Sequence, residues 1–321
     1  MTASGVAPEP EAVAEAVAVA VAAIDCGTNS TRLLVADRSG KELLRLMRIT
    51  RLGQGVDRTN ALAPEAISRT IGVLREFRRS MDDLGVGRVR MVATSAVRDA
   101  ENGAAFTEAA REAVGSAPEV LSGLEEGTLA YRGASADLDP FDGDTLVVDI
   151  GGGSTEITLG RGGPVASVSL QLGCVRLTER FLTSDPPTPD EIAATHRAIA
   201  DALAWGEQQM PELRDLASRR RLVGLAGTVS TLASLHLGLA EYDPQRLHHA
   251  RLPVRELTGL CANLAMQSAA ERGGLVGMTP GRQDVIVGGA LVLLDVAARY
   301  QCPEVIVSEK DILDGIVLSI L

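Results

Sequence analysis

VVDIGGGSTEI, residues 147–157, decides how this chain is read. Val147, Val148 and Ile150 surround Asp149 with β-branched apolar residues, and EITLG resumes that character after the glycines. The pattern predicts two strands joined by a tight turn. An aspartate that ends a buried strand stands at the edge of its sheet, where ligands bind. Gly151, Gly152 and Gly153 let backbone N–H groups approach an anion with no Cβ in the way. Ser154 and Thr155 add hydroxyl donors, and Glu156 a second carboxylate. Asp149 and Glu156 can share a hard divalent cation such as Mg²⁺ through oxygens or waters. The plain alternative, a flexible turn with exposed acids, makes poor use of three successive glycines.

Working outward, IDCGTNSTR (24–32) repeats the unit in the first half: Asp25 closes an apolar run, and Thr28, Asn29, Ser30 and Thr31 form a donor-rich turn before Arg32. VAVAVAAID, TRLLVAD and ELLRLMRI predict three antiparallel strands, and TLVVDI, EITLG and VASVSLQL predict three more. The aspartates lie 124 positions apart (149 minus 25). Alone, the first unit reads equally as an ordinary hairpin. Paired with the second, it suggests duplicated α/β domains facing each other across a cleft. The boundary is expected near Pro140–Gly143, giving a mobile tail over 1–15 and domains over 16–141 and 142–321. A third small-residue loop, in LVGLAGTVSTLAS, places Gly227 and Thr228 at the mouth of a predicted helix, where the helix dipole favours a phosphate. TSAVRDA reads as a loop, a helix is predicted over 103–114, and Thr188–Glu191 reads as a capping box with Pro189 at the first helical position.

Composition narrows the function classes. The 321 residues favour two domains. A formal charge of -11 opposes duplex nucleic-acid binding, which needs the reverse balance. Aromatic residues are only 2%, too few for a base-stacking platform. Cys26, Cys174, Cys261 and Cys302 form no CxxC pair and suit a reducing compartment. The N-terminal stretch has no basic start, and its apolar run from Ala16 to Ile24 is too short to cross a bilayer. A soluble, cytoplasmic protein is expected, with no membrane partner. The four histidines have no ligand spacing, and Trp205 reads as a packing residue.

Taken together, IDCGTNSTRLL, TSAVRDA, LSGLEEG, VVDIGGGSTE, GLAGTVSTLAS and RQDVIVGGA resemble, in order, the motifs of the exopolyphosphatase and guanosine pentaphosphate phosphohydrolase family. That family falls within the actin/hexokinase superfamily. The resemblance runs from about Val21 to Leu321 and matches the short, two-domain form. It implies two actin-like (ribonuclease H-like) domains, each a five-stranded mixed sheet flanked by helices, with the last helix able to pack back on the first domain. It also implies that Glu126, the second acid of LSGLEEG, is the catalytic glutamate; without it, Glu125 and Glu126 read as a solvated helix start. Asp25, Asp149 and Glu156 match the acids around the metal (Mg²⁺ or Mn²⁺) and the attacking water. Arg98 and Arg282 match basic residues facing the phosphate chain, and the family commonly forms homodimers. SEKDILDG departs from the usual glycine- and arginine-containing form, which puts basic contacts there in doubt.

The expected activity is Mg²⁺-dependent release of orthophosphate from the end of polyphosphate. Residues 28–30 and 151–155 would hold phosphates, and Glu126 would position or deprotonate water. Hydrolysis of guanosine pentaphosphate is the nearest alternative. A superfamily kinase, and a silent nucleotide or polyphosphate sensor, are the others.

Overall fold

A computed structural model describes residues 20–321; the tail assigned to 1–15 lies outside them. The first half holds β1 (Ala20–Cys26), β2 (Ser30–Ala36), β3 (Glu42–Ile49), β4 (Val86–Ala93) and β5 (Glu119–Val120). The second holds β6 (Asp144–Ile150), β7 (Thr155–Gly160), β8 (Pro164–Leu170), β9 (Arg220–Leu225), β10 (Arg251–Pro253) and β11 (Glu304–Val307). The longer helices, with the C-terminal one, are α1 (Pro64–Asp83), α2 (Gly103–Val114), α3 (Gly123–Ser135), α4 (Cys174–Phe181), α5 (Pro189–Gln209), α6 (Ala226–Leu237), α7 (Val254–Ala265), α8 (Ile286–Arg299) and α9 (Ile312–Leu318).

The strand orders show the duplication. The first sheet runs β3-β2-β1-β4-β5 and the second, from its matching edge, β8-β7-β6-β9-β11-β10. In each, two antiparallel hairpins lead into a strand that pairs parallel with the central one. The second sheet has six strands rather than the expected five. Its extra member, β10, is a three-residue antiparallel edge, too short to show alternation and closed by Pro253, as edges tolerate. TSAVRDA contains a helical turn, Ser95–Arg98, where a loop was expected. LAGT forms no loop either: β9 runs straight into α6 through Ala226, held at φ 65. Trp205 is about half exposed rather than packed inside. Among the described residues, no helix is long and apolar enough to cross a membrane.

Strand alternation assigns the faces. Ala22, Ile24, Leu33 and Val35 look outward to α1 and α2 through Ile71, Leu74, Phe77 and Phe106. In the second sheet, Leu146, Val148, Ile157 and Leu159 look outward to α5–α8. The opposite faces meet in a third cluster, where Val21, Ala23 and Leu34 join Val147, Val223 and Ile306 through residues of α3 and α9. By the same period of two, Asp25 and Arg32 point to this inner side of the first sheet, and Asp149 and Glu156 to that of the second. α9 packs back against β1 and β2 and crosses α3 at a glycine contact. A Cβ at Gly133 would lie 1.9 Å from the carbonyl of Asp311, and one at Gly315 2.0 Å from that of Leu129.

Candidate active site

The inner ends of the two central hairpins open into a cleft of about 830 Å³. Asp25, Thr28, Asn29, Ser30, Glu126, Asp149, Gly151, Gly152, Ser154, Gly227 and Arg282 all line it.

Both turns have the same construction. The amide of Gly27 donates to Ser30 O at 3.0 Å, and that of Gly151 to Ser154 O at 3.0 Å. Each turn is then held from behind by its carbonyls. Gly53 N donates to Thr28 O, and the amides of Thr50 and Arg51 donate to Asn29 O. In the second turn, Cys174 N at the start of α4 donates to Gly151 O, and Val175 N and Arg176 N donate to Gly152 O. The carbonyls of Thr28, Asn29, Gly151 and Gly152 are thus occupied by backbone amides of the framework, and residues of both turns line the cleft. The turns also touch: a Cβ at Gly152 would lie 2.9 Å from Thr28 Cβ and 3.2 Å from Asn29 N.

The carboxylates differ in their partners. Asp25 sits opposite Arg32 in the β1–β2 register. Arg32 donates to Asp25 Oδ2 through Nε at 3.1 Å and Nη2 at 2.7 Å, which leaves the buried Asp25 Oδ1 unpartnered. Burial pushes the Asp25 carboxyl above its ordinary value, and Arg32 pulls the other way. Asp149 sits opposite Glu156, and such cross-strand neighbours are about 5 Å apart at Cβ. Burial, then the Glu156 charge, push Asp149 up to about 8. Burial also raises Glu156, against the pull of the Ser169 hydroxyl, which donates to Glu156 Oε1 at 2.7 Å.

Composition and pattern alone left Glu125 and Glu126 undivided, and only the family resemblance singled out Glu126; capping supplies the physical division. Ser122 caps α3, and Glu125 accepts from Ser122 N at 2.9 Å to complete a capping box. Glu126, one position on, is buried and lines the cleft. Burial raises its proton affinity well above normal, and the nearby Glu156 and Asp149 raise it further. Arg98, expected to face phosphate, donates to Leu121 O at 2.8 Å and to Glu126 at 3.3 Å.

Four residues expected at the site, Thr155, Thr228, Gly153 and Glu156, do not line the cleft. Thr155 donates its hydroxyl to Leu172 O at 2.7 Å, and Thr228 is buried against α8 at Gly289; neither lines the cleft. Both hydroxyls face the framework because their positions fall on the packed side of their elements. Gly153 is likewise turned away from the lining: its carbonyl accepts from Arg176 Nε at 2.7 Å. Glu156, expected at a metal, is 1% exposed with one oxygen held by Ser169, and it sits opposite Asp149 in the β6–β7 register rather than in the cleft lining. Arg282 carries the opposite signal. Its guanidinium lies against Gly227, it is only 7% exposed, and its Nε has no partner. Among the described residues it forms no salt bridge, and burial lowers its affinity for its proton. A buried cation left in this state is costly unless an anion joins it.

The Ppx/GppA phosphatase family model matches residues 34–321. The chain belongs to that family. Exopolyphosphatase 2 of Mycobacterium tuberculosis is 44% identical over 94% of this chain and 98% of its own. A Ppx/GppA family member from Aquifex aeolicus is 33% identical, with a TM-score of 0.77 over 94% of this chain and 97% of its own. An exopolyphosphatase from Cytophaga hutchinsonii reaches a TM-score of 0.86 at 26% identity over 94% and 97%. Within this Ppx/GppA fold, sequence reasoning missed the acid Asp311 that meets Arg32, and Arg176, which also donates to Asp57 and Asp99 across the halves. The i,i+7 repeat that pairs Asp25 with Arg32 and Asp149 with Glu156 was available in the sequence as a signal. Asp311 had none, since it lies 279 positions from Arg32.

Proposed function

We propose that the cleft is an exopolyphosphatase site that takes the end of an inorganic polyphosphate chain and releases its terminal phosphate to water. One observation carries the reading: two glycine-containing turns and Arg282, which has no salt bridge among the described residues, share a cleft with Glu126 and Asp149, whose proton affinities are raised. The 44% identity with a named exopolyphosphatase supports the substrate class.

The amides of the two turns and Arg282 bind the phosphate oxygens. Glu126 accepts a proton from the attacking water as its oxygen bonds to the terminal phosphorus. The bridging P–O bond breaks, and the shortened chain leaves as the anion. Asp25 Oδ1 and Asp149 are hard oxygen donors at the cleft, and the orphaned Oδ1 fits a cation. Mg²⁺ or Mn²⁺ held there would offset phosphate charge and acidify the water. Glu156 supports that set from behind.

An apolar end of the cleft, with Leu46, Met47, Leu239, Tyr242 and Met278, favours guanosine pentaphosphate as a second reading, since a base could rest there. Phosphate release should be measured on long and short polyphosphate, guanosine pentaphosphate and ATP, with and without chelator. Release from polyphosphate that chelator stops is expected; a silent panel with tight ligand binding would instead identify a sensor. We also expect an intracellular homodimer, which sedimentation and fractionation of cells would test.

A further inference from the structure

The first hairpin is held by a residue from the far end of the chain. Arg32 Nη1 donates to Asp311 Oδ2, while Nε and Nη2 hold Asp25 Oδ2. The guanidinium is therefore held on two sides, by Asp25 and by Asp311.

Asp311 is itself tied at both side chain and amide. It caps α9: its Oδ1 accepts from Leu313 N at 2.9 Å, and its own N–H donates to Asp314 at 2.9 Å. Asp314 accepts from Arg45 Nη2 at 2.9 Å. The Gly133–Gly315 contact clamps this end of α9 onto α3, the helix that carries Glu126. A continuous chain of contacts therefore leads from the Glu126 helix through Asp311 and Arg32 to Asp25. Arg32 and Arg45 each have carboxylate partners, so Arg282 is the cleft arginine left for anions.

We propose that Asp311 is a positioning residue. It acts through Arg32 to hold the Asp25 carboxyl in one orientation beside the cleft, with one oxygen tied and the other without a hydrogen-bond partner among the described residues. This rests on the hydrolytic reading above. Freed from Asp311, Arg32 could turn toward bound phosphate and release Asp25 from its single orientation, so the reacting groups lose alignment more than the substrate loses affinity.

Asp311→Asn isolates the charge, because asparagine caps a helix as well as aspartate does; Asp311→Ser serves as the second variant if the first fails to fold. Each is assayed for kcat and KM on polyphosphate, alone and combined with Arg32→Lys. We expect kcat to fall about tenfold, as misplaced reacting groups do, with KM nearly unchanged and the thermal midpoint close to wild type. The double variant should be no worse than Arg32→Lys alone. Wild-type kcat in Asp311→Asn, or effects that multiply in the double variant, would overturn the proposal. If the wild-type protein releases no phosphate, the hydrolytic reading fails separately. Exchange of the Arg32 Nε proton, followed by NMR, then decides: it quickens in Asp311→Asn if Asp311 holds the guanidinium and stays unchanged if it does not.

Discussion

The hairpins at Asp25 and Asp149 are built on one plan and carry opposite electrostatics. In both, a strand ends in an aspartate, the turn closes with a glycine amide on the carbonyl three residues on, and the aspartate faces the residue seven positions later. In the first hairpin that residue is Arg32; in the second it is Glu156. One aspartate is therefore compensated and tied, and the other is crowded by a like charge. The two sheets carry matching turns, and a single change of residue type at the facing position separates their electrostatics. The first hairpin becomes a fixed wall. The second, with Glu126 leaning on its acids, becomes the place where a proton or a cation is wanted.

The comparison can be broken most severely at Glu126. Glu126→Gln keeps the shape and removes the proton acceptor, and phosphate release should fall about 10³-fold, with polyphosphate binding in calorimetry retained. Activity near wild type would return the proton transfer to another group.

Next in size is a pair of substitutions expected to differ in sign. Asp25→Asn leaves Arg32 short of a buried partner, and loss of such a partner costs about 3 kcal/mol. Asp149→Asn removes one of two facing acids, so the metal-free protein should gain stability above neutral pH. Denaturant titration of both reads the contrast directly; equal losses would show that the two aspartates sit in equivalent surroundings.

A smaller effect is expected at Arg282. Replacing it with Met should raise KM for polyphosphate about tenfold, the worth of a charged hydrogen bond, while raising the thermal midpoint because an uncompensated buried cation is gone. A lowered midpoint with unchanged KM would make Arg282 a structural residue.

The mildest test is pH. Asp149 is pushed up to about 8 in the folded protein, against an ordinary value of 3.8, so the folded state binds the extra proton. Its contribution to stability is complete below about 4 and is lost as pH rises through about 8. Thermal midpoints of the chelated protein should therefore decline across that window, and Asp149→Asn should flatten the decline. The Asp25 hairpin, whose burial is opposed by Arg32, should contribute a shallower slope.

Much of this was legible beforehand. The alternation of VAVAVAAID and TLVVDI located the central strands, and the glycines of 151–153 marked a turn made for close approach. LSGLEEG was the instructive case: composition saw only a charged helix start, and resemblance to a family singled out Glu126. The fold supplies the physical reason, because a capping box engages Glu125 and leaves its neighbour to turn inward. Thr155 and Thr228 misled because residue type reports a donor without saying which side of an element it faces.

By itself, then, the sequence determined what is local: strand periods, turn chemistry, helix caps and the i,i+7 spacing that sets each aspartate opposite its partner. These depend on a few neighbouring residues and on backbone geometry that repeats everywhere. Only the tertiary structure decided which groups are buried together and which are left uncompensated. Arg282 became a cation without a counter-ion among the described residues, Asp311 crossed the length of the chain to Arg32, and Glu126 came to lie near Asp149. Burial and charge proximity act through space, and chain distance carries no record of them.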